Sequence, residues 1–230
     1  MPGGLPTVIL PGYLASAGEY ARLAGDLEKL GFATFVVPIQ WYGWLPTLGD
    51  RPMTPVLRLI KETIDRALAR HPEHARVNLV GHSAGGWIAR VLMGDKPYDG
   101  RVWDYRDRVA TLVTLGTPHL SREKFCLKNM TFVNGTYPGA FYRDEVRYVC
   151  VAGRAIFGRR GSFADNFTYR SYELTIGRGD CWGDGITPVE AAHLEGAENL
   201  TLEGVLHSPR GERYWYGSAE PLRIWSAYLQ

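Results

Sequence analysis

One serine, Ser83, stands at the apex of Gly81-His82-Ser83-Ala84-Gly85-Gly86, between an apolar run (Val77, Leu79, Val80) and apolar residues at helical spacing (Trp87, Ile88, Val91, Leu92). The first stretch reads as a buried strand and the second as a helix, so the serine sits on an abrupt strand-to-helix turn. A turn of this kind exposes the hydroxyl, and glycines on either side leave room for the crowded backbone. A serine hydroxyl attacks well only when a histidine takes its proton, and that histidine needs a carboxylate to fix its tautomer and stabilise its charged form. Downstream, Asp180 and Asp184 each lie in a Gly-Asp turn, and His193 and His207 follow them. The structural alternative is a glycine-rich turn that binds a phosphate or in which Ser83 only caps the helix that follows.

Taken with the strand before it and the helix after it, Gly81-His82-Ser83-Ala84-Gly85 resembles the nucleophile elbow of the α/β-hydrolases, in particular their small lipases and esterases. Gly116-Thr117-Pro118-His119 and Gly183-Asp184-Gly185-Ile186-Thr187-Pro188 are similar to turns that lipases carry beside their active sites and at their catalytic acid. The resemblance implies an α/β-hydrolase fold of about six mainly parallel strands flanked by helices, with lid-like insertions, and catalytic groups in the order Ser, Asp or Glu, His. On that pattern Ser83 is the nucleophile, Asp184 the acid and His207 the base, and the N–H groups of Tyr13 and Ala84 form the oxyanion hole. Asp180 stays as the rival acid, since two Gly-Asp turns cannot be separated by local pattern, and Asp184 has the further alternative of a simple Asx-type turn. His193 is the rival base. His119 is expected to serve as wall or scaffold, and His82 to pack against neighbouring loops. The sequence departs from the pattern in having Pro11-Gly12-Tyr13 where small lipases often have His-Gly, and in lacking the first strand pair of larger members.

The elements that must position these groups are readable as apolar patterns. Thr7 to Leu10, Ala33 to Ile39, Val109 to Leu115, Val146 to Ala152 and the stretch from Asn199 toward His207 read as further strands. Ala17 to Leu30, Pro55 to Arg70 and Pro221 to Leu229 carry apolar residues at three- and four-residue spacing and read as helices. Trp41, Tyr42 and Trp44 follow the second strand at its carboxyl end, where open α/β sheets bind ligands. Trp41, Trp44 and Trp87 are accordingly the candidate substrate contacts. Residues 121–144 show no sustained period and hold many aromatics, which predicts a covering loop. Residues 153–170, basic and glycine-bearing, read as a mobile surface excursion.

The 230 residues, 45% hydrophobic, are expected to form a single domain, 1–230, around one core. Lys and Arg number 26 against 24 Asp and Glu, with the signs scattered, so nothing calls for nucleic acid. Cys126, Cys150 and Cys181 have no metal-site spacing, and no metal or cofactor is expected. Without the basic start and apolar run of a signal peptide, the chain is expected to be soluble and cytoplasmic, or organellar after loss of a presequence. Four N-x-S/T sequons, at Asn129, Asn134, Asn166 and Asn199, are read as incidental. The reading that results is a serine hydrolase of carboxylic esters, a lipase or carboxylesterase acting on acyl lipids with transient contact to a membrane surface. The alternatives are an acyltransferase using the same three residues, and a ligand-binding member of the fold with little turnover. Oligomeric state is not read from the sequence.

Overall fold

The computed structural model describes residues 3–209 and 214–230. Six strands, β1 (Gly4–Leu10), β2 (Phe32–Val36), β3 (Val77–His82), β4 (Val109–Leu115), β5 (Arg147–Arg154) and β8 (Glu198–Glu203), form one sheet in the order β2-β1-β3-β4-β5-β8. Every neighbouring pair is parallel. Because all six run the same way, the loops after β1, β3, β4, β5 and β8 emerge on one edge. The chain steps outward from β1 to β2 and then crosses back to β3 on the other side of β1. That reversal opens a crevice between the carboxyl ends of β1 and β3, the place where open α/β sheets bind ligands.

Alternate residues of the strands supply the two faces of the core. Val8, Leu10, Leu79, Leu112 and Cys150 pack on the side covered by α2 (Thr54–Arg70) and α3 (Ala84–Met93). Ile9, Val80, Val113, Val149 and Val151 pack on the other side with Leu23 and Leu27 of α1 (Ala21–Lys29) and Leu222 and Trp225 of α7 (Ala219–Ser226). Strands buried on both faces must be apolar almost throughout, which is why β3 and β4 read as continuous runs. The second strand stops at Val36, short of the predicted Ile39. There Val37 donates to Ile9 at 2.9 Å and Pro38 has no N–H with which to continue a ladder.

The two predicted insertions are more regular than their sequences imply. Residues 121–144 contain α4 (Leu127–Thr136), whose buried side is Asn129, Met130 and Val133. Asn129 turns inward because Asp50 and Tyr98 meet its amide, so a polar residue occupies a core position and breaks the apolar period. Residues 153–170, read as a mobile excursion, contain β6 (Ile156–Phe157) and the first half of α5 (Phe163–Ile176). β6 pairs antiparallel with β7 (Trp182–Gly183). A Ser162–Asp165 capping box opens α5, and Gly177, at φ 88°, closes it. A short α6 (Val189–Ala192) precedes β8.

The Arg90 side chain of α3 is buried and ties α4 to the core. Its guanidinium donates to Asn134 Oδ1 at 3.1 Å and to the carbonyl of Tyr137, the α4 C-cap, at 2.6 Å. A cation at a helix C-terminus meets unpaired carbonyls and the negative end of the helix dipole. Burial pushes its pKa down to about 10, so it stays charged at neutral pH. Arg90→Leu removes both donors from the Asn134 side chain and the Tyr137 carbonyl. The expected cost is about 2–4 kcal/mol of unfolding free energy, measured by urea denaturation.

Candidate active site

Ser83 has φ 51° and ψ −127°, a left-handed conformation that L-residues rarely hold. Its N–H donates to the Leu115 carbonyl at 2.9 Å, and its own carbonyl accepts from the Thr117 hydroxyl at 2.7 Å and the Gly86 N–H at 3.2 Å. Close packing explains the adjacent glycines. A Cβ on Gly81 would stand 2.6 Å from the Gly86 nitrogen, and one on Gly86 would overlap the Thr117 hydroxyl. The turn therefore needs both glycines and the neighbouring strand end.

Three side chains from three loops converge at this turn. His207 Nε2 lies 3.0 Å from Ser83 Oγ, and His207 Nδ1 lies 2.7 Å from Asp184 Oδ2. The carboxylate can only accept, so Nδ1 carries the proton and Nε2 is free to receive one from Ser83. Asp184 is 2% exposed. Its Oδ1 accepts from the N–H groups of Ile186 and Thr187 at 3.0 and 2.7 Å, and its Oδ2 also accepts from the Tyr216 hydroxyl at 2.7 Å. Burial works against ionisation of this carboxyl. The His207 charge and hydrogen bond, with the Thr187 N–H and the Tyr216 hydroxyl, outweigh it and hold the pKa below the ordinary carboxylate value. Tyr216 is itself fixed by the Gly153 N–H at 2.8 Å. Tyr216 lies beyond the reach of motif spacing, and no local pattern marks it.

The rivals lie elsewhere. Asp180 is exposed. His193 Nε2 faces the Thr201 hydroxyl at 3.1 Å. His119 is buried beside Thr114 and Cys150, where burial, followed by the Arg90 charge, drives its pKa well down.

His82 also has a defined place. Its Nε2 donates to the His207 carbonyl at 2.9 Å, so its Nδ1 must accept, and the Tyr20 hydroxyl meets that nitrogen at 2.6 Å. The Tyr20 oxygen in turn accepts from the Gly12 N–H at 2.9 Å. One chain of hydrogen bonds thus joins the loop after β1, the elbow and the backbone of His207. Burial, and then the neighbouring His207, lower the His82 pKa to about 3.

Above the serine lies a cavity of about 720 Å³, lined by Tyr13, Met53, Trp87, Phe125, Met130 and Phe167 among others. Tyr13 and Ala84 both border it. The Ala84 N–H belongs to the first turn of α3, where a helix has no acceptor of its own to offer. Tyr13 sits in the turn closed by Ala15 N–H to Gly12 C=O at 3.0 Å, and Gly12 lies against Ser83 closely enough that a Cβ there would be 3.1 Å from the serine Cβ. Of the three candidate tryptophans, Trp87 lines the cavity and the other two do not. Trp44 is buried with its Nε1–H on the Ala15 carbonyl at 3.0 Å, and backs Tyr13 edge to face at 5.3 Å. Trp41 is 57% exposed and packs on Tyr42. The loop after β2 turns away because β2 lies outside the β1/β3 crevice. The apolar wall comes from the 121–130 segment and α5 instead. Among the described residues, no group of three His, Cys, Asp or Glu side chains is placed to hold a metal ion.

Residues 52–134 match the family model of the PGAP1-like alpha/beta domain. The structure is similar to the mature lipase BlEst2 of Bacillus licheniformis, with a TM-score of 0.60 and 19% identity, covering 90% of this chain and 86% of that one. It is also similar to the phospholipase PlaB of Legionella pneumophila, with a TM-score of 0.67 and 14% identity over 96% of this chain. Here the chain spans only 58% of the other protein's length. The chain has the α/β-hydrolase fold that these structures share. A predicted CIB-like hydrolase of Thermoplasma acidophilum shares the fold with a TM-score of 0.50 and 14% identity, covering 99% of this chain and 87% of that one. A search of the curated proteins finds no match. No helix among the described residues is long and apolar enough to cross a membrane.

The buried His82 makes stability depend on acid. Unfolded, it binds a proton below about pH 6.5; folded, it stays neutral down to about 3. Between those values the unfolded chain holds more protons, so the contribution is complete above pH 6.5 and is lost as pH falls, by about 1.4 kcal/mol per unit. His82→Asn should lower stability at pH 7 yet lose about 2 kcal/mol less than the parent between pH 7 and 5 in urea titrations. An unchanged pH slope would show that His82 is not a buried neutral imidazole.

Proposed function

We propose that this protein is a serine hydrolase of carboxylic esters, a lipase or carboxylesterase that acts on acyl lipids. The observation that carries the reading is the hydrogen-bonded sequence Ser83 Oγ, His207 Nε2, His207 Nδ1, Asp184 Oδ2 at the floor of an apolar cavity. In the proposed reaction Ser83 Oγ attacks the ester carbonyl carbon while His207 Nε2 takes its proton. The carbonyl oxygen becomes an oxyanion held by the Tyr13 and Ala84 N–H groups. As the intermediate collapses, His207 returns the proton to the departing alcohol and leaves an acyl-serine. Water, deprotonated by the same nitrogen, then releases the acid and restores Ser83.

Asp184 keeps its charge throughout. Its lowered pKa means that the imidazolium forms next to a full negative charge, and the Tyr216 hydroxyl keeps the carboxylate from rotating away. Apolar lining favours an acyl chain over a charged substrate, since an aliphatic chain gains about 0.8 kcal/mol for each methylene removed from water. The similarity to one protein named a lipase and another named a phospholipase supports the same substrate class.

The reading predicts hydrolysis of p-nitrophenyl esters with a preference for medium or long acyl chains. Ser83→Ala should abolish it, with a loss on the order of a millionfold in kcat for a nucleophile. Asp184→Asn should lose on the order of 10,000-fold, because the wrong histidine tautomer is then favoured, whereas Asp180→Asn should leave turnover unchanged. A fluorophosphonate probe should label the parent at Ser83 and leave Ser83→Ala unlabelled. Absence of both turnover and labelling would overturn the proposal.

A further inference from the structure

Helix α5 is built inside out. Its buried side chains are Thr168, Tyr172 and Thr175, and its water-facing stripe is Phe163, Phe167 and Leu174, at 91%, 57% and 41% exposure. A surface helix normally shows the reverse. The inversion has a local cause. Tyr172 reaches in to accept the Gly185 N–H at 2.9 Å, and Ser171 donates to the Ile186 carbonyl at 2.8 Å, so the helix is pinned to the Asp184 loop by its polar side. The apolar side is left in water.

That stripe runs into the mouth of the cavity above Ser83. Phe167 and Leu174 border the cavity, as do Phe125 and Leu14 across the opening, each also substantially exposed. The two walls touch where the Arg122 N–H meets the Leu174 carbonyl at 3.2 Å. Charge on this rim is unbalanced. Arg159 and Arg160 are paired with Asp165 and Glu173, but Lys124, Lys128 and Arg170 form no ion pair with any described carboxylate. Of the nearby acids, Glu19 and Glu123 border the cavity, burial raising the Glu123 pKa, and Asp50 accepts the Lys128 backbone N–H at 2.6 Å.

We propose that this face, formed by α5 and residues 124–128, seats the protein on an anionic lipid bilayer with the cavity mouth turned toward the headgroups. Aromatic rings at the level of the headgroups and lysines or arginines reaching anionic lipids are the two attractions that hold an amphipathic helix in a membrane interface. The choice of a bilayer over a protein partner rests on the reading that acyl lipids enter this cavity. A protein docked on the same ring would close the mouth.

The test uses the full chain carrying Ser83→Ala, so that lipid is not consumed, and sedimentation with vesicles of phosphatidylcholine with or without phosphatidylserine. Binding should require phosphatidylserine, weaken with added salt, and fall on the order of tenfold or more in Lys124→Glu/Lys128→Glu and in Phe163→Ser. None of these three residues borders the cavity, so the same changes in the Ser83 parent should leave turnover of a water-soluble short ester unchanged. Thermal midpoints certify that the variants fold, and sedimentation reads the surface whether or not Ser83 hydrolyses esters. No vesicle binding, equal binding by the variants, or equal binding to both lipid compositions would overturn the proposal. So would a stable dimer in gel filtration that Phe163→Ser separates, which would give the face to a second copy of the chain.

Discussion

Ser83 is held at a left-handed backbone conformation that costs about 1–3 kcal/mol and persists only where the surroundings impose it. The surroundings here are β4 and the turn after it. Leu115 takes the serine N–H, Thr117 covers the serine carbonyl, and α3 packs so close that residues 81 and 86 must lack a side chain. The position of the hydroxyl is therefore set by strand register between β3 and β4. A slip of one residue in that pairing would take the Leu115 carbonyl from the serine and exchange the side chains between the two packed faces. Close packing of differently shaped side chains on the two faces opposes such a slip.

Around that serine one imidazole faces a carboxylate and its neighbour does not. His207 faces the ionised Asp184, which is anchored by two backbone N–H groups and the Tyr216 hydroxyl. His82, with its ring centre 4.9 Å from that of His207, faces a carbonyl and a phenol and is held neutral by burial. In the proposed reaction, a second cation at that distance would oppose protonation of His207 as Ser83 gives up its proton. Keeping His82 uncharged removes the repulsion and leaves its N–H to orient the His207 backbone.

Much of the fold was legible because strands buried on both faces must be apolar throughout, and β4 was read with the bounds it has. The elbow was legible because a glycine on each side of a serine between strand and helix has few other uses. Asp184 and His207 were legible only through resemblance to known turns, since nothing local separates Asp184 from Asp180. Tyr216 and the Tyr20–His82 link were not legible at all. Their partners are 32 and 62 residues away in sequence, and such contacts leave no periodic trace. Trp44 misled for a physical reason: an aromatic loop can wall a cavity or support the residue that does, and Trp44 supports Tyr13.

The two segments whose pattern resisted reading, 121–144 and 153–170, are the ones that build the cavity's outer wall. This is not coincidence. Periodicity reports which side of an element meets water and which meets a core, and it assumes one apolar side. An element that stands between a polar loop it must pin and an apolar cavity it must line has its apolar side toward the opening. α5 meets both demands, with Tyr172 and Ser171 spent on the Asp184 loop and Phe167 and Leu174 on the cavity. α4 meets a milder version, burying Asn129 against Asp50 while Met130 lines the cavity. The loss of a readable pattern is thus what a boundary with something other than water produces, and it falls where an apolar substrate would have to enter.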